Sequence, residues 1–222
     1  MKKFIWYAFA FALPLCAVHS GEVDAHEEVT ANEDLMREHG VLNRLLLIYQ
    51  EIATRIESKK DFPLNALTRA AKLVRNFLEN YHEKIEEEFI FPRFEKAEQQ
   101  LDLIAILKDQ HNVGRKLTDY ILAHSDEASL KDEGQRKLLT EYLKYYVTMF
   151  RPHEAREDTI LFPAFHKLVT AEEYDQLGDR FEQIEQQHFG EDGFEKAVEQ
   201  VAEIEKQLGI YNLSQFTPQL NQ

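Results

Sequence analysis

Residues 82–92, HEKIEEEFIFP, recur as residues 153–163, HEAREDTILFP, so that the pattern HxxxExxxxFP is written twice at an offset of 71 residues. The repeat extends upstream, because His39 in REHGVLNRLL corresponds to His111 in DQHNVGRKLT at an offset of 72. Each half of the chain supplies one lone His followed by one HxxxE, which points to a duplicated pair of structural elements.

Those elements read as helices. Gly (8) and Pro (6) are sparse, and Glu, Gln, Lys, Leu and Ala fill long stretches without strand-like alternation. Thr30, followed three residues later by Glu33, forms a capping box. Leu35, His39, Leu42, Leu46, Tyr49, Ala53 and Ile56 then recur at steps of four and three, the seam of a helix in a bundle. A second helix is expected from about Pro63 to Phe91, with Val74, Leu78, His82, Glu86 and Ile90 in one row. A third, from about 98 to 124, carries Ile104, Leu107, His111, Gly114, Thr118 and Ile121. The fourth, from about 133 to 162, carries Leu139, Tyr142, Tyr146, Met149, His153, Glu157 and Ile160. Pro152 cannot donate to the carbonyl of Thr148 and predicts a kink in that helix.

Short connections make neighbouring helices antiparallel, so the expected fold is all-α, an up-down-up-down four-helix bundle with additional C-terminal helices. At about 1.5 Å per residue, His39 near the start of helix one meets His82 near the end of helix two. His111 and His153 take the equivalent places, so all four imidazoles are expected at one end of the bundle. In HxxxE the two side chains lie one turn apart on the same face, which lets one helix offer an imidazole and a carboxylate to one centre.

That donor set favours a first-row metal such as Fe or Mn, or Zn as an intruder. Four His and two Glu from two related halves suit two metal ions with Glu86 and Glu157 bridging. For octahedral iron, with an oxide or hydroxide bridge added, about two coordination positions stay open to a small ligand. Burying these groups without a cation costs several kcal/mol of desolvation.

The N-terminus is a different material. Lys2 and Lys3 precede an apolar run from Phe4 to Val18 and then small and polar residues, the layout of a secretory signal peptide over residues 1–20. The run is shorter than the roughly 20 residues a membrane span needs, so no stable membrane insertion is expected. Cys16 follows the bulky Leu15, against a lipoprotein signal. Cleavage moves the formal charge from −14 to −16 and removes the single cysteine, leaving no disulfide, thiolate site or attached haem. A chain this acidic is a poor partner for nucleic acid. The expected destination is secreted or periplasmic.

Residues 21–31 read as a leader, 32–190 as the bundle and 191–222 as a C-terminal helix and tail. Thr170 to Glu173 offers another capping box, and 171–189 and 192–208 read as helices packed outside the bundle, with a loose tail from Asn212. Phe91-Pro92 and Phe162-Pro163 are expected to cap the bundle, the aromatic closing it under the metal layer and the proline stopping the helix. Glu83 and Glu154 adjoin the ligand histidines but point about 100° away, which makes them weaker candidates. His188 reads as a surface or packing residue, His124 and His166 as helix-end residues, and His19 and His26 fall in the signal and leader.

The two lone histidines and two HxxxE motifs, with their following FP, resemble the hemerythrin-like family of HHE cation-binding domains over about residues 30–190. The resemblance implies a non-haem di-iron centre held by His39, His82, Glu86, His111, His153 and Glu157, with O2 or NO as its small ligand. The chain departs from the oxygen-carrying hemerythrins, which place HxxxH on the third helix; here Leu107 and Arg115 stand four residues either side of His111. Its six-ligand set is closer to bacterial proteins proposed to repair iron centres under nitrosative stress, apart from their extra N-terminal domain and cytoplasmic location. Two classes of function follow. One is a protein that binds iron and a small ligand; the other is a di-iron oxidase or reductase acting on O2, peroxide or NO, or an iron storage or repair protein. No redox partner can be read from the sequence.

Overall fold

A computed structural model describes residues 29–220. The expected signal peptide, residues 1–20, and most of the expected leader lie outside the described residues. The architecture is all-α, with no strand among the described residues.

Helix α1, Ala31–Glu57, starts where the capping box places it: Thr30 is extended and its Oγ1 accepts from the backbone N–H of Glu33. All seven of its seam positions are buried. Helix α2 covers 64–96, α3 Leu101–Ala123, and a short α4, Glu127–Lys131, leads into α5 over 133–168. Helices α6, Ala171–Phe189, and α7, Gly193–Leu208, pack against α1, and α7 also covers the start of α2. From Asn212 onward the described residues are exposed and contain one 3-10 turn, Leu213–Phe216, capped by Asn212.

The Phe-Pro pairs do not stop the helices, contrary to the sequence expectation. Proline has no N–H, so an α-helix through Pro92 leaves the carbonyl of Glu88 without its partner. The chain instead widens into a π segment, Glu86–Ile90, in which the Phe91 N–H reaches back to the Glu86 carbonyl. Pro92 then falls in the first turn of a new α segment, Phe91–Lys96, where no donor is needed. The second half does the same with Glu157–Leu161 and Phe162–Leu168. Helix α2 carries a further π segment over Val74–His82, and π turns of this kind gather at functional sites. In α5 the widened turn brings Leu161 into the core and leaves Ile160 43% exposed, which corrects its place in the expected seam. Tyr142 and Met149 are half-buried there, and the α segment Glu133–Arg156 runs through Pro152.

Phe91, Phe94, Phe162 and Phe165 are fully buried and close the bundle beyond the histidine layer. On the other side, Gly114 of α3 lets Phe150 of α5 approach: a Cβ there would sit 2.8 Å from the ring. Phe150 stacks on Tyr146, with 4.4 Å between centroids, and lies 5.1 Å from the His153 ring, so it has little room to retreat. Gly114→Ala should therefore cost about 1–3 kcal/mol of overpacking, more than the helix-propensity gain of about 1 kcal/mol, and lower the midpoint of thermal unfolding. Gly40→Ala, at an exposed helical position with nothing within 4 Å, should raise it.

Candidate metal centre

The six residues singled out by the repeat converge at one level of the bundle, each 3% exposed or less. Every histidine is fixed through Nδ1, and the partners are themselves repeated. His82 Nδ1 lies 2.6 Å from Glu38 Oε2, and His153 Nδ1 lies 2.9 Å from Gln110 Oε1. Glu38 and Gln110 immediately precede the lone histidines, so in each half the first helix orients the histidine of the second. The lone histidines are held from the opposite half: His39 Nδ1 is 2.7 Å from Asp158 Oδ1 and His111 Nδ1 is 3.1 Å from Glu87 Oε1. Asp158 and Glu87 immediately follow the HxxxE glutamates. A carboxylate or amide oxygen faces each Nδ1, so in the neutral imidazoles that a metal needs each Nδ1 carries the proton and each Nε2 presents a lone pair inward.

The Nε2 atoms meet in pairs, His39 with His82 at 3.1 Å and His111 with His153 at 3.2 Å. Both glutamates span the two pairs. Glu86 Oε2 lies 3.7 Å from His82 Nε2 and 3.5 Å from His111 Nε2. Glu157 lies 3.4 Å from His39 Nε2 through one oxygen and 3.1 Å from His153 Nε2 through the other. All four of these carboxylate oxygens are buried without a hydrogen-bond donor.

Converging lone pairs and carboxylates require positive charge. Burial and the Glu157 carboxylate push Glu86 well above the usual carboxylate range. Burial presses His82 well down and takes His111 to about 4, while His39, despite its burial, is raised to about 10 by Asp158 and Glu157. A cation in each histidine pair resolves the conflict. With metal–nitrogen bonds of about 2.1 Å, two neighbouring ligands of one metal stand about 3 Å apart, which fits both Nε2 separations. One group of His39, His82 and Glu86, and another of His111, His153, Glu86 and Glu157, each bring their donor atoms within 4.8 Å of one another.

A cavity of about 10 Å³ lies among these residues, walled by Leu42, Leu78 and Phe150. Phe162 stacks on His39 and Phe91 on His111, at centroid distances of 5.5 and 5.6 Å. Glu83 is buried and lines the same cavity, 3.9 Å from His111 Nδ1, with Arg115 Nη2 2.7 Å from its Oε2. Arg115 also holds Glu87 at 2.7 Å, so the position four residues past His111 carries a cation that neutralises two carboxylates. Glu154 is buried without lining the cavity and is raised to about 7 by burial. His188 is exposed and donates to the carbonyl of Ile184, His124 caps the end of α3, and His166 lies on the surface.

Glu38, Gln110, Glu87 and Asp158 were not singled out by the sequence reading. They were detectable, because each flanks a repeated residue at the same offset in both halves. Asp158→Asn should weaken metal retention about 10- to 100-fold by removing a charged orienting partner, read as metal lost in a chelator competition, whereas His188→Ala should leave retention unchanged.

The Hemerythrin HHE cation binding domain family matches residues 30–129 and 102–216. The uncharacterized proteins Rv1995 of Mycobacterium tuberculosis and Mb2018 of Mycobacterium bovis are each 47% identical over 190 residues, covering 86% of this chain and 74% of the relative. No solved structure matches the chain. A duplicated His and HxxxE set, gathered in one buried layer of a helical bundle, and these matches together place the chain in the hemerythrin HHE cation-binding domain family.

Proposed function

We propose that the chain is an exported non-haem di-iron protein that binds a small ligand such as O2 or NO. One observation carries this reading: two pairs of facing Nε2 lone pairs, each pair spanned by the same two donor-free glutamates. His39 and His82 would hold one iron and His111 and His153 the other, with Glu86 and Glu157 shared between them and an oxide or hydroxide completing the bridge. When bound, the iron pair supplies one-electron redox chemistry and open coordination positions.

The chain's own residues prepare that site. Asp158, Glu38, Glu87 and Gln110 hold the imidazole tautomers, and Arg115 balances the charge of Glu83 and Glu87. Leu42, Leu78 and Phe150 wall the polar cavity and keep it small, which favours a diatomic or comparably compact ligand over a bulky substrate. Among the described residues no helix is long and apolar enough to cross a membrane. Export rests on the charged and apolar order of residues 1–20, and the N-terminal mass of the mature protein tests it.

Elemental analysis should find about two iron atoms per chain; one metal, or zinc alone after anaerobic reconstitution with iron, contradicts the di-iron reading. Glu86→Ala or Glu157→Ala should lower iron content and melting temperature together, because bound metal stabilises the folded state by mass action. Azide or NO should change the visible spectrum of the iron-loaded protein. Stopped-flow mixing of the reduced protein with O2 should give a stable, reversible adduct, and continued turnover would identify an oxidase instead.

A further inference from the structure

Outside the histidine layer, a second set of carboxylates meets. Asp34 and Glu38 lie one turn apart on the inner face of α1, and Glu185 of α6 faces them; donor atoms of the three lie within 4.8 Å of one another. Glu38 is fully buried, and its Oε1 has no hydrogen-bond partner, while Oε2 is the oxygen that holds His82. The buried Tyr81 hydroxyl faces Glu38 and can donate to it. Asp34 is 8% exposed; burial, with Glu38, Glu185 and Glu182 around it and only Arg37 opposing, raises it to about 8.

Asp34 and Glu185 line a groove of about 660 Å³ between α1, α6 and the start of α7, and Glu38 is buried beside them. Among the described residues the groove walls carry Asp179, Glu182, Glu191, Asp192 and Glu195 against one cation, Arg37. A concave surface of one sign concentrates counter-ions. Glu185 Oε1 accepts from the backbone N–H of Phe194 at the start of α7, 2.7 Å away, but crowding three acids together here costs desolvation and repulsion, which a bound cation offsets.

We propose that Asp34, Glu38 and Glu185 form a second, all-oxygen site for a divalent cation, which stages the ion for the histidine–glutamate centre through Glu38. Carboxylate oxygens without imidazole or sulfur suit a hard, exchangeable ion such as Mn²⁺ or Fe²⁺. The Glu38 side chain belongs to both sets, offering an oxygen to the cluster while its Oε2 lies 2.6 Å from His82 Nδ1. The staging role rests on the metal-centre reading above; the cation site itself does not.

The test is titration of Mn²⁺ into protein whose histidine–glutamate centre is already loaded, with free Mn²⁺ followed by electron paramagnetic resonance. One additional Mn²⁺ per chain should bind, and Asp34→Asn with Glu185→Gln should weaken that binding at least about tenfold. The same double variant should take up Fe²⁺ several-fold more slowly while reaching the same final iron content. No Mn²⁺ bound by the unmodified chain at millimolar concentration, or unchanged binding in the double variant, overturns the site. Unchanged uptake rates overturn the staging role. If the double variant does not fold, Asp34→Asn alone supplies the comparison, and the titration of the unmodified chain decides by itself whether a site exists. A chain that binds this Mn²⁺ yet holds one metal in its histidine–glutamate centre contradicts the di-iron reading and leaves the carboxylate site standing.

Discussion

Four imidazole lone pairs and two carboxylates are buried at one level of this bundle, and that layer is stable only with positive charge inside it. Hydrophobic burial can hold α1 against α5 and α3 against α5 along the rest of their length. At the histidine level the same packing brings acceptors together, with Nε2 atoms 3.1 and 3.2 Å apart and four glutamate oxygens lacking donors. Such an arrangement, left without a cation, loses desolvation energy and gains repulsion. The local departures of the fold all serve this layer: the π turns that begin at Glu86 and Glu157, the prolines that require them, and the aromatic rings stacked on His39 and His111.

The halves are tied together by their orienting contacts. Each lone histidine depends on a carboxylate and an aromatic ring from the other half, while each HxxxE histidine depends on its own half's first helix. Neither half can set up its donors alone. The symmetry is also incomplete, because Glu38 stands where the other half has Gln110. The His39–His82 pair therefore has two acidic orienting partners and the His111–His153 pair has one, which makes the two positions electrostatically different. The same substitution gives the first half its link to Asp34 and Glu185, so the asymmetry at the centre and the acidic groove share one residue.

The helices and the six converging residues were legible in the sequence because both follow helical periodicity, and duplication separated them from chance histidines. The fate of Pro92 and Pro163 was not legible. Proline forbids one α hydrogen bond but does not say whether the chain ends or widens, and here the widened turn keeps Phe91 and Phe162 over the histidines. Ile160 was placed on the inner face by an α register that the π turn displaces. Glu83 was weighed by its 100° offset from His82, yet it lines the cavity, where Arg115 meets it across the bundle. The crossed contacts of Asp158 and Glu87 join residues from opposite halves, which no local pattern reveals; only their repeated offset marks them.

The central claim is that the paired histidines and shared glutamates hold two irons. A crystal of the iron-loaded protein, with anomalous data collected on both sides of the iron absorption edge, tests it most directly. The account predicts two iron peaks, one bonded to Nε2 of His39 and His82 and one to Nε2 of His111 and His153, with Glu86 and Glu157 contacting both. A single peak, or iron located only outside this layer, would contradict it.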